Sequence, residues 1–109
     1  VKILSPEEHD RALGYVSHFP HVLTYALMET IPSDCLGYAA SGLKDTTRIA
    51  SSTPQVWNDI CLGNSKNVVS AIDEIVGCLS SMRNAIKTKD SKSLIEHFEA
   101  AKKKRDKLN

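Results

Sequence analysis

The chain has 109 residues, 41% of them hydrophobic and 25% charged, the size and balance of one ordinary globular domain. Its net charge of +1 supplies no field for nucleic acid or an anionic membrane. No apolar run approaches the roughly 20 residues that span a bilayer, and no basic start with an apolar block marks a signal peptide. Cys35, Cys61 and Cys78 form no C-x-x-C pair, and an odd count cannot close fully into disulfides, so a reducing cytoplasm is expected.

Val1-Lys2-Ile3-Leu4 is a short apolar entry with no helix start, read as the end of a linker from something upstream. Ser5-Pro6-Glu7-Glu8 then has a capping serine, a proline at the first helical position and a glutamate three residues after the cap. Ala12, Val16, Leu23 and Leu27 keep a helical period from there to about Thr30, where Ile31-Pro32-Ser33 stops it. Pro20 falls inside this helix. It removes one backbone bond and clashes one turn back, at roughly 3 kcal/mol, so a kink is expected, either bending the helix around its core or opening space beside a site.

Ser33-Asp34 caps a short helix through Leu36, Tyr38, Ala39 and Ala40 that Gly42 ends, and Leu43 to Ala50 forms another. Thr53-Pro54 caps a helix carrying Val56, Trp57, Ile60 and Cys61, which Gly63-Asn64 ends. The longest pattern runs from about Ser65 to Thr88, with Val68, Val69, Ile72, Ile75, Val76, Leu79, Met82 and Ile86 on one wide face that wants two partners. Asp90-Ser91 caps a last helix expected to bury Leu94, Ile95, Phe98 and Ala101. It ends in Lys102-Lys103-Lys104-Arg105, which suits the helix dipole and reads as a solvated end rather than a phosphate patch. No repeat or low-complexity tract appears, and the only possible strand is the opening few residues. The class is all-α: a kinked first helix, short central helices and two long C-terminal helices in one domain spanning 1–109. So short a chain leaves much surface exposed, and long helices with broad apolar faces gain from a second copy.

Ser17, His18 and His21 crowd into about one turn, with Ser17 and His21 at i,i+4 able to converge on one side. His18 and His21 supply only two ligands and no H-E-x-x-H, so no metal site is expected. A regular helix also presents no serine for nucleophilic attack. Asp45 and Arg48, at i,i+3, can pair so that the carboxylate orients a guanidinium for a ligand carboxylate, though such pairs are more often ordinary surface contacts. Trp57, the lone tryptophan, packs by default in the core.

Taken together, Ser5-Pro6-Glu7-Glu8-His9-Asp10, Ser17-His18-Phe19-Pro20-His21, Gly42-Leu43-Lys44-Asp45-Thr46-Thr47-Arg48-Ile49-Ala50 and Trp57-Asn58-Asp59-Ile60 resemble, in order and spacing, the C-terminal domain of prephenate dehydrogenases. The resemblance covers essentially the whole chain. It implies an interlocked homodimer of helical domains, joined in the full enzyme to an N-terminal nucleotide-binding domain for NAD or NADP. No G-x-G-x-x-G occurs in these residues, so no cofactor-binding residue is expected among them and the fragment alone should be inactive.

The implied reaction is oxidative decarboxylation of prephenate to 4-hydroxyphenylpyruvate, on the route to tyrosine. The resemblance makes Arg48 the carboxylate-binding arginine and His21 a substrate contact. It sets Ser17 and Asp45 along the same pocket and brings Trp57 from the partner subunit. The hydroxyl-polarising histidine of the family belongs to the nucleotide-binding half, so no residue here is assigned as catalytic. His9 and Asp10 carry a structural role at the start of the first helix. Ser41 stands where some members have a second glycine. An arogenate dehydrogenase domain, tyrosine as a regulatory occupant of the same pocket, and a helical interaction module without activity are the alternatives.

Overall fold

The computed structural model describes residues 3–108, every regular element of which is helical; Val1 and Lys2 of the expected linker lie outside the described residues. Helix α1 spans Pro6–Leu13 and opens on a complete capping box. The Ser5 hydroxyl accepts from the Glu8 N–H at 3.2 Å, and the Glu8 carboxylate accepts from the Ser5 N–H at 3.3 Å. A π-helical turn, Gly14–His18, follows without a break, and α2 continues from Phe19 to Thr30. The irregularity expected at Pro20 thus lies just before it. Proline has no N–H to give the Val16 carbonyl, and the wider turn, in which the Phe19 N–H reaches back to the Gly14 carbonyl, makes room for the ring. Pro20 then occupies the first turn of α2, where a missing donor costs little.

Ser33–Tyr38 is a 3-10 segment rather than an α-helix, and α3 spans Ser41–Thr47, so Gly42 lies in the first turn of a helix instead of ending one. A second 3-10 turn, Arg48–Ser51, leads to α4, Pro54–Gly63, and Asn64 separates α4 from the 23-residue α5, Ser65–Lys87. The last helix, α6, spans Ser91–Arg105 and is capped by Asp90, whose carboxylate accepts from the Ser93 N–H at 3.1 Å.

Contacts within the chain fall into two compact units, residues 1–72 and 73–109, with the boundary inside α5. In the first, α2 packs against the π turn, α3 and the second 3-10 turn, while α4 packs on the π turn. Gly14, Thr24, Thr47, Val68 and Ala71 are buried there. The second unit is the end of α5, a tight turn and α6. The turn is a Schellman motif: the Asp90 N–H reaches the Ala85 carbonyl at 2.8 Å and the Lys89 N–H the Ile86 carbonyl at 3.2 Å. Lys89 sits at φ 57°, where glycine is the usual residue.

Ala85 is the one buried apolar residue of the second unit among those described, and Val76, Leu79, Ile86, Ile95 and Phe98 are each more than half exposed. Ile95, Phe98 and Ala101, expected in the core, are not buried by their own chain, and Leu94 is half-buried. The apolar stripe of these helices is real; two helices alone are too few to cover it.

Candidate functional site

His21 is held by two contacts of different kinds. Its Nδ1 lies 3.0 Å from the Ser17 carbonyl oxygen, and since a carbonyl only accepts, Nδ1 carries a proton. Its ring lies flat on Trp57, centroids 3.3 Å apart and planes 13° from parallel. Nε2 has no partner among the described residues and is the atom left to meet a ligand, accepting when the ring is neutral and donating when it is charged. Ser17 thus meets His21 through its backbone carbonyl and not through the side-chain hydroxyl expected to converge with the ring. Trp57, expected from a partner subunit, makes this stack within its own chain.

His18, one turn earlier, meets the same indole edge-on, with centroids 6.3 Å apart and planes at 69°. It carries its proton differently. Its Nδ1 lies 3.2 Å from the Asn64 amide nitrogen and so accepts, which puts the proton on Nε2. Two histidines on one helix are thus fixed in opposite senses. His21 and Trp57 line a cleft of about 380 Å³ between α2 and α4, together with Tyr25, Glu29, Asn58 and Cys61. Burial pushes the Cys61 thiol above its ordinary pKa.

Asp45 and Arg48 are both exposed, neither lines the cleft, and no ion pair or hydrogen bond joins them. The reason is local. The i,i+3 pairing presumes continuous helix, and α3 stops at Thr47, whose backbone (φ −103°, ψ 6°) leaves the helical region before Arg48 starts a 3-10 turn. The 3-10 turn that Arg48 opens is anchored at its far end. Tyr25 donates its hydroxyl to the Ser52 carbonyl at 2.7 Å, tying the end of the 3-10 turn to α2, and the Ser52 hydroxyl donates to Ile49 at 2.6 Å. No group of three His, Cys, Asp or Glu that could hold a metal occurs among the described residues. Sequence reasoning missed Tyr25 and Glu29, although their i+4 and i+8 spacing from His21 places them on one helix face, and it missed Asn64, whose contacts are long-range.

The model of the prephenate dehydrogenase dimerization domain matches residues 5–100. The chain belongs to this family. Among relatives of the dimerization domain, a Bacillus subtilis prephenate dehydrogenase is 38% identical over 111 residues, covering 96% of this chain and 30% of that protein. A Zymomonas mobilis cyclohexadienyl dehydrogenase is 33% identical over 112 residues, covering 96% and 38%. The fold agrees with a crystal structure of prephenate dehydrogenase from A. aeolicus, in complex with hydroxyphenyl propionate and NAD+, at a TM-score of 0.88 and 37% identity over 100% of this chain and 40% of that one. This chain therefore spans about a third of the length of the relatives it matches, between 30% and 38% of the two sequences.

Proposed function

We propose that these residues are the helical C-terminal part of an NAD- or NADP-dependent prephenate dehydrogenase, acting in the cytoplasm as a homodimer, its cofactor held by a nucleotide-binding domain. The observation that carries the reading is His21: an imidazole with its proton fixed at Nδ1, its ring stacked on Trp57 and its Nε2 unpartnered, lining a cleft in a chain whose family match runs over 5–100. Such a ring presents one polar atom in a fixed direction beside aromatic surface, as recognition of a small cyclic acid requires. The cofactor belongs elsewhere. Gly14, Gly37, Gly42, Gly63 and Gly77 form no G-x-G-x-x-G, so these residues offer no cradle for a pyrophosphate. Bound in its own domain, the nicotinamide would accept the hydride released as the ring carboxylate leaves.

Prephenate carries two carboxylates, and Arg48, exposed and without an ion-pair partner among the described residues, is available to hold one through two parallel bonds. Ser17 acts by fixing His21 through its backbone carbonyl, and Asp45, three residues before Arg48 in sequence, is carried only as a neighbour of that arginine. Dimer formation is supported by the face of α5 and α6 that carries Val76, Leu79, Ile86 and Phe98 along a groove of about 830 Å³. Fully burying an exposed side chain of this kind contributes about 1.5–3 kcal/mol; these are already about half covered, so each adds roughly half of that, and several together favour pairing. Three free cysteines suit a reducing compartment, and no described helix is long and apolar enough to cross a membrane.

The test is prephenate-dependent reduction of NAD and NADP by the protein together with its cofactor domain, wild type against Arg48→Ala. The expected result is activity in the wild type and a KM raised about 100-fold in the variant, roughly 3 kcal/mol of lost charged contact. No activity with either cofactor would sink the reading. Glu29 gives a second reading its one observation: a carboxylate lining the same cleft as His21 suits the ammonium of arogenate better than the keto group of prephenate. A higher kcat/KM for arogenate, lost in Glu29→Gln, would select it.

A further inference from the structure

Asn64 stands alone between α4 and α5, and its side-chain amide is engaged through both its nitrogen and its oxygen. The nitrogen lies 2.8 Å from the Asp10 carbonyl oxygen and 3.2 Å from His18 Nδ1, while the oxygen accepts from the Asn67 amide at 2.9 Å. The orientation is determined chemically. A backbone carbonyl can only accept, so the amide nitrogen must face Asp10, and the second hydrogen of that nitrogen goes to the imidazole. Gly14 makes the approach possible: a Cβ there would come 3.0 Å from the Asn67 Cβ and 3.3 Å from the Asn64 nitrogen.

We propose that Asn64 is a positioning residue for the His21–Trp57 pair. It acts through His18, fixing that ring's proton on Nε2 and its edge against the indole on which His21 lies. The inference rests on the reading of the cleft as the substrate site. No shorter or longer side chain at position 64 reproduces the double donation. Alanine frees the His18 ring and leaves Nδ1 unpaired. Aspartate, of the same shape, turns two donors into acceptors, so that His18 must bring a proton on Nδ1 to meet it.

The experiment uses the protein with its cofactor domain, as wild type, Asn64→Ala, Asn64→Asp and, for comparison, Ser5→Ala, which removes a remote helix cap. Two quantities are read: histidine ring ¹⁵N shifts, with the His18 signals assigned by their loss in His18→Gln, and KM and kcat for prephenate. The wild type should show His18 with its proton on Nε2. Asn64→Ala should lose that preference and Asn64→Asp should move the proton to Nδ1. Both should raise KM about tenfold with kcat within about threefold, while Ser5→Ala moves stability but not KM.

Unchanged His18 shifts in Asn64→Asp, or a KM that moves no more than in Ser5→Ala, would overturn the proposal. Should the wild type fail to oxidise prephenate, the function proposed above falls by itself. The ring shifts then still decide the role of Asn64: a tautomer change on substitution sustains its control of His18, and an unchanged one removes it.

Discussion

His21 lies on Trp57 with ring centroids 3.3 Å apart and planes 13° from parallel, although 36 positions separate them in sequence. Because Trp57 is the lone tryptophan of these residues, its fluorescence reports the stack directly. His21→Ala is expected to change the emission of Trp57 and to weaken binding of a substrate-like acid about tenfold or more, the cost of one charged or strong neutral hydrogen bond. A fluorescence titration with hydroxyphenyl propionate on wild type and variant checks both. Equal affinities would remove His21 from the site.

The turn between α5 and α6 holds Lys89 at φ 57°, a conformation that costs an L-residue about 1–2 kcal/mol. Glycine adopts it without strain but loses more freedom on folding, so Lys89→Gly should stabilise by about 0.5–1 kcal/mol and raise Tm by a few degrees. Differential scanning calorimetry at fixed protein concentration measures this. A fall in Tm would mean that the lysine side chain contributes something its exposed position does not reveal.

At Gly14 the usual gain from replacing a helical glycine should reverse. An added methyl meets the Asn67 Cβ at 3.0 Å and the Asn64 amide nitrogen at 3.3 Å, tighter than most side-chain contacts, and the hydrogen bond between those two asparagines resists their giving way. Overpacking of this kind costs about 1–3 kcal/mol, more than the roughly 1 kcal/mol of helix propensity that alanine returns. Gly14→Ala is therefore expected to lower the denaturant midpoint, whereas Gly77→Ala, with nothing within 4 Å of the new Cβ in its own chain, should not.

The Cys61 thiol has its pKa raised by burial alone. For a group whose folded pKa lies above its unfolded value, the stabilisation is complete below the unfolded value and is lost as pH rises through the folded one. Stability should fall as the pH rises past about 9, and Cys61→Ala should flatten that limb. The same effect should make Cys61 slower to alkylate than exposed Cys35 at pH 8, which peptide mapping after timed iodoacetamide treatment can read.

An aspartate on the apolar face of the second unit, as in Leu79→Asp or Phe98→Asp, should convert a dimer to monomer at micromolar concentration, since burying an unpaired carboxylate costs more than the pairing of one side chain supplies. Size-exclusion chromatography with light scattering gives the answer. A wild-type protein that runs as a monomer would remove the homodimer from the proposal.

What was legible in the sequence is what is local. The Ser5 capping box, the Asp90 cap, the stop at Gly63-Asn64 and the length of α5 each rest on contacts spanning a few residues, and each is present. Pairings that presume helix continuity were less secure: Asp45 and Arg48 are separated because Thr47 leaves the helical region one residue too soon for them. Burial of Ile95 and Phe98 could be read as a need for apolar cover, but not which chain supplies it. The Asn64 contacts were invisible. They join residues 46 and 54 positions apart, and an asparagine after a helix-ending glycine reads from sequence only as a cap.

The π turn at Gly14–His18 has a consequence for reading the first helix as a single wheel. Each residue of an α-helix advances by about 100°, and a π turn takes in one residue more than an α turn, so everything after it is rotated relative to a projection begun at Ser5. His21, Tyr25 and Glu29 share their face in the phase of α2, not of α1. Loss or gain of a single residue between Gly14 and His18 would turn that whole row away from α4 while leaving every residue of it unchanged, so the cleft depends on a count of residues as much as on their identity.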